Sequence, residues 1–235
     1  MEKTKGNIRD KSFKIFLLIW IGEFISNIGS GLTAFSLGVY VYNTTQSATY
    51  VSLVTLCAFL PTILLSPIGG VLADNFDRRI MMIIGDSFSA IGLIYIFIKL
   101  NSGSILIWQI CLGVMFSAVF CTLTEISYKS SVTDLMTEKL YAKASGLMQV
   151  SKSSKYLLSP FIAGFLLLKL EVKYILIIDI CTFFITVLTV AIVRNKLENN
   201  KSNEKSKKFL YDFREGWKSL LVKRGILVLV FLLTA

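Results

Sequence analysis

Residues 69–100 read GGVLADNFDRRIMMIIGDSFSAIGLIYIFIKL. The second part, from Ile80, is an apolar run of about 20 residues, the length that crosses a hydrocarbon core of ~30 Å at 1.5 Å per residue. The first part is a short charged turn. The same alternation continues outward in both directions. Further apolar runs cover about 13–42 and 50–72 before it, and about 105–128, 141–168 and 174–193 after it. None alternates apolar with polar at period 2, so a β-barrel is excluded and an all-α integral membrane fold of six helices is expected. Composition agrees. With 54% hydrophobic residues and a mean hydropathy of +0.67, the chain cannot clothe a soluble core in polar surface.

The formal net charge is +10. In a soluble protein that would suggest nucleic acid as a partner, but here the basic residues sit in the loops and report topology. Twenty of the 25 lysines and arginines fall before helix 1, in loops 2–3 and 4–5, or in 194–224. The opposite side holds Lys99, Lys169 and Lys173. The expectation is a multi-pass protein of the plasma membrane, its partner the lipid bilayer, with the N-terminus cytoplasmic. The polar, basic start is not a cleavable signal.

Three stretches are expected: a helix bundle over 1–193, a basic cytoplasmic linker over 194–224, and the start of a seventh helix over 225–235, too short to span. In the linker, Phe209, Phe213, Trp217 and Leu220 lie on one helical face, which suits a helix at the membrane surface.

There is no histidine, which removes the commonest metal ligand and general base. Cys57, Cys111, Cys121 and Cys181 lie within apolar runs without a CxxC pair, so neither a zinc site nor a disulfide framework is indicated. No cofactor or metal site is expected. A membrane enzyme lacks support in the absence of a nucleophile motif or clustered carboxylates.

The opening turn carries Gly70, Asp74, Arg78 and Arg79 in a Gly-x3-Asp-x3-Arg-Arg pattern. Arginines at the start of a helix oppose its dipole and need carboxylates. Asp74, Asp77 and Asp86 are near enough in sequence to serve. Such a cluster can lock one conformation and release it in another. Two lysines, Lys152 and Lys155, lie one turn apart inside the fifth run, with Ser159 on the same face. Each costs about 2.5–3.5 kcal/mol in the bilayer centre, so that face must look into a cavity or toward an anion. Helix 1 carries a small and polar stripe of Glu23, Asn27, Ser30 and Ala34.

The turn resembles motif A of the major facilitator superfamily at Gly70, Leu72, Ala73, Asp74, Arg78 and Arg79. It departs at Asn75, where a basic residue is usual, and at Asp77, where glycine is usual. Helix 1 (21–29), Thr45–Ala48 and the stretch Phe213–Lys218 are similar to the drug-antiporter branch that contains the macrolide efflux proteins. In helix 5, Gly146, Pro160 and Gly164 match the exporters' motif C, with Lys155, Ser159 and Ala163 in place of its other glycines.

The resemblance implies two inverted three-helix repeats and the N-terminal half of a twelve-helix transporter, with the C-terminal half missing. It implies alternating access and efflux of small amphipathic compounds. H+ is the coupling ion it offers, although helix 4 has Gln109 where many proton-coupled relatives carry arginine. Helices 1 and 5 are neighbours in that fold, so Glu23 is expected to pair with Lys152 or Lys155 in the wall of a substrate or proton cavity. Glu125 is expected to pair with Lys129 at the loop edge. Asp179 is expected to pack, since helix 6 is peripheral there. The alternatives are an importer of the same family and a half-size unit or scaffold acting as a homodimer.

Overall fold

The computed structural model describes residues 2–103 and 105–196, with side chains described except at 2–11, 66–75, 134, 138–139 and 194–196. The expected linker and seventh helix, over 197–235, lie outside the described residues.

Six helices follow one another: α1 (Glu2–Thr45), α2 (Ala48–Asn75), α3 (Arg78–Asn101), α4 (Ile107–Leu135), α5 (Glu138–Leu167) and α6 (Val172–Lys196). The basic start, read from sequence as an arm before helix 1, continues α1 as helix. Short connections force antiparallel neighbours. Between α1 and α2 the chain reverses at Gln46, whose φ of 51° ends the helix. Asp77 caps α3, its side chain accepting from the Arg79 amide at 3.0 Å.

Five of the six helices are long and apolar enough to cross a membrane among the described residues, and α5 is the exception. Its lysines and serines dilute an apolar run that is otherwise of spanning length. α5 packs along α1, so its polar face is turned into protein.

The helix contacts obey a symmetry. α1 packs against α5 and α6, α4 packs against α2 and α3, and α3 packs against α6. Exchanging α1–α3 for α4–α6 maps this pattern onto itself. Equivalent helices are three apart in the chain, an odd offset, so the two repeats run in opposite directions, as an inverted repeat requires. Small residues allow the closest approaches. A Cβ at Gly92 of α3 would stand 2.6 Å from the Gly113 carbonyl oxygen of α4, and one at Gly31 of α1 would stand 2.6 Å from that of Lys155 in α5.

The interior is layered along the helix axes. One apolar layer holds Phe16, Met82, Val132, Ala144 and Val190 at the end where α1 begins. Another holds Leu37, Val41, Ile96, Ile110 and Leu176 at the far end. Leu32, Ala163 and Ile175 extend the far layer between α1, α5 and α6. Between these layers every helix contributes polar groups, which is the reverse of a soluble core.

Candidate functional site: a mixed-charge cavity between the apolar layers

A cavity of about 280 Å³ opens in the polar layer. α1 contributes Glu23, Asn27, Ser30 and Thr33, spaced so that they fall on one face of the helix. α3 contributes Asp86, α4 Glu125 and Lys129, α5 Lys152 and Lys155, and α6 Asp179. α2 supplies Val54, Ala58 and Phe59 with two threonines, so its wall carries no charge. Ionisable side chains in a membrane interior are costly and mark a pathway or a binding site.

α1 and α5 are stitched by three hydrogen bonds. Trp20 Nε1 donates to the Leu147 carbonyl at 2.7 Å, Asn27 Nδ2 to Ser151 Oγ at 3.0 Å, and Ser159 Oγ to the Ile28 carbonyl at 3.0 Å. This fixes the rotation of α5 and aims its lysine face at the cavity.

The charge pairing differs from the expectation. Lys152 pairs with Glu125 of α4, not with Glu23. Glu125 also holds Lys129 at 3.0 Å, so one carboxylate bridges two ammonium groups. Glu125 is therefore a cavity residue as well as the partner of Lys129. Glu23 and Lys152 lie at comparable depths, but α4 brings its carboxylate to α5 first. Lys155 makes no ion pair within 4 Å among the described residues and lies in the cavity wall. Glu23 is buried with Oε1 lacking a hydrogen-bond partner among the described residues.

Asp86, expected beside the arginine pair, lines the cavity instead. It stands eight residues beyond Arg78, about 12 Å along α3, is 2% exposed, and its Oδ2 has no hydrogen-bond partner among the described residues. Arg78 Nη1 donates to the Ser130 carbonyl at 2.7 Å, tying the start of α3 to the end of α4. The side chain of Asp74 and the surroundings of Gly70 lie outside the described residues.

Two further departures concern α5 and α6. Gly146 and Gly164 have nothing within 4 Å of a Cβ placed on them. The close packing of α5 comes from buried Ser159 and Ala163, the positions where glycine is replaced. Pro160 lies inside α5, where it removes one backbone donor. Asp179 is 1% exposed and lines the cavity, because α6 packs between α1 and α3 and is not peripheral. A signal for it was present: Thr182 and Thr186 follow at helical spacing on the same face, a polar stripe like that of α1. No group of three or more His, Cys, Asp or Glu is arranged to hold a metal among the described residues.

The Major Facilitator Superfamily pattern matches residues 19–235. The chain belongs to that superfamily. Among its relatives, the macrolide efflux protein A of Streptococcus pyogenes is 29% identical over 92% of this chain and 53% of its own length. The macrolide efflux protein A of Enterococcus faecalis is 28% identical over 75% of this chain and 54% of its own. Multidrug resistance protein 1 of Bacillus subtilis is 27% identical over 61% and 36%. The chain spans about half the length of the macrolide efflux relatives it matches. Membership sets aside the membrane-enzyme reading and fits the symmetric six-helix bundle.

Proposed function

We propose that this bundle forms one wall of a secondary-active exporter of small amphipathic compounds, macrolide-like drugs among them. The observation that carries the reading is the cavity itself, between the apolar layers of a bundle of this superfamily, with an uncharged lining from α2 and a charged lining from α1 and α5. That division suits a ligand with a hydrophobic body and a few polar groups.

The reading works by alternating access. A second six-helix bundle faces this one, and the pair rocks about the cavity. The broad apolar surfaces of α2 (Leu56, Ile63, Leu64) and α5 (Leu157, Phe161, Phe165) are exposed in the bundle and suit contact with that second unit or with lipid. Gly146 and Gly164 lie open on α5, where they would let a facing helix approach closely. The Gly70–Arg79 turn acts as the gate, with Arg78 anchored on the end of α4. Glu23 and Asp86 are the cavity carboxylates available for substrate or proton, and the N-terminus and basic loops lie in the cytoplasm.

The test is accumulation of a labelled macrolide in an efflux-deficient bacterium expressing the full gene product. Lower accumulation than in vector cells, restored by Glu23→Gln with membrane abundance unchanged, is the expected result. Equal accumulation with the protein present in the membrane overturns the reading. Higher accumulation identifies an importer and overturns the direction.

A further inference from the structure

Lys155 is the odd charge of the cavity. Of the ammonium groups that α4 and α5 bring to its lining, Lys129 and Lys152 share the Glu125 carboxylate. Lys155 has neither an ion pair within 4 Å nor a hydrogen bond among the described residues. It also lies too deep to escape to water at a helix end. The nearer end of α5 is Leu167, about 18 Å along the axis, farther than a lysine side chain reaches by snorkelling. Its backbone is pinned as well. The Lys155 carbonyl oxygen lies against Gly31 of α1, and Ser159, one turn on, donates to the Ile28 carbonyl at 3.0 Å.

The other carboxylates of the cavity do not answer this charge. Asp179 is near enough for the two groups to act on each other, yet it makes no ion pair with Lys155. It is 1% exposed and held by the hydroxyls of Ser30 and Thr182. Glu23 and Asp86 are buried on α1 and α3. An ammonium at membrane depth is expensive unless a counter-charge meets it. A lysine that keeps all three donors free there is set for a group that comes and goes. The charge balance says how much that group carries. One spare ammonium among Glu23, Asp86, Glu125 and Asp179 suits a single negative charge, and a second would meet net repulsion. The rest of the lining says what bears the charge. Val54, Ala58 and Phe59 of α2 and the ring of Tyr156, next to Lys155 in α5, can seat an apolar body. A bare inorganic anion would use none of them.

We propose that Lys155 is the anion-binding residue of a substrate subsite, taking the carboxylate of an amphipathic monocarboxylic acid whose apolar body lies in the same cavity. The ammonium donates charge-assisted hydrogen bonds to the carboxylate oxygens. Lys152, fastened to Glu125 one turn away, adds positive potential without a bond of its own to the ligand. The subsite deepens the efflux reading by naming an acidic class of amphipath within it, and it rests on that reading only for the direction of transport.

The experiment uses the full gene product in nanodiscs of neutral phosphatidylcholine at pH 8, with empty nanodiscs subtracted. The probe is tritiated fusidate, an amphipathic carboxylate, with its uncharged methyl ester as the comparison ligand. The expected result is saturable binding of the acid, with the ester at least about tenfold weaker. Lys155→Gln weakens the acid about ten- to a hundredfold, the range of a charge-assisted hydrogen bond, and leaves the ester unchanged. Lys155→Arg keeps the preference for the acid. If Lys155→Gln fails to fold, the acid-to-ester ratios of the parent protein and of Lys155→Arg carry the test. No saturable binding of the acid, or equal affinity for acid and ester, overturns the subsite. So does a Lys155→Gln protein that melts at a lower temperature with its acid-to-ester ratio unchanged, which makes Lys155 a structural companion of Asp179. Binding needs no transport. Acid-selective binding beside failed macrolide efflux leaves the subsite standing, and macrolide efflux without acid selectivity strikes the subsite alone.

Discussion

α2 and α5 hold equivalent positions in the two repeats, one leaning on α4 and the other on α1. Their chemistry is opposite. Over Ala48–Leu65, α2 has no charged residue, and its described side-chain link to α4 is the 3.2 Å contact between Thr62 and Thr122. α5 carries Lys152 and Lys155 and is fastened to α1 by three hydrogen bonds. One backbone plan thus supplies a greasy wall and a charged wall to the same cavity. Symmetry fixes where the walls stand, and side chains fix what they bind. The difference also explains why α5 fails the apolarity standard that its counterpart meets. A helix can carry two lysines through a bilayer when its rotation is locked by polar contacts to a neighbour.

The most disruptive way to break this contrast is to charge the apolar wall. Phe59→Lys on α2 is expected to cost about 2.5–3.5 kcal/mol of insertion free energy, with no carboxylate in Ala48–Leu65 to offset it. A glycosylation-mapping assay of α2 insertion in microsomes would show a reduced spanning fraction. Unchanged insertion would mean that the wall is wet enough to solvate an ammonium. Loosening the α1–α5 dock comes next. Gly31→Ala forces a Cβ to 2.6 Å from the Lys155 carbonyl oxygen and is expected to cost about 1–3 kcal/mol by overpacking. Denaturation in mixed micelles would report it. Ser159→Ala removes a single hydrogen bond to the Ile28 carbonyl and should cost about 0.5–1.5 kcal/mol in the same assay. Lys152→Met has the smallest expected effect on stability, about 1 kcal/mol or less. Glu125 keeps Lys129, and both partners of the lost pair are more than a third exposed. A loss much above that would show Lys152 to be the structural keystone of the cavity.

The sequence made helix number, order and approximate bounds legible because hydrophobic length is a local property. The polar stripe of α1 and the lysine face of α5 were legible for the same reason, since helical spacing fixes which residues share a face. Partner choice was not. Depth along a helix can be counted, but the rotation and approach of neighbouring helices cannot. Glu23 and Glu125 are both within plausible reach of Lys152 by depth, and α4 decides between them. Asp86 joined the arginine turn on sequence distance, whereas two helical turns carry it to the cavity. Asp179 was misplaced because the stripe it forms with Thr182 and Thr186 shows a polar face but not what that face meets, and its burial depends on α6 packing between α1 and α3.

The layered interior has an electrical consequence. The charged stratum of Glu23, Asp86, Glu125, Asp179 and the lysines lies between buried apolar clusters, Phe16, Met82 and Val132 on one side and Leu37, Ile96 and Ile110 on the other. Apolar packing on both sides lowers the local dielectric, so the charges of this layer act on one another more strongly than the same groups would on a wet surface.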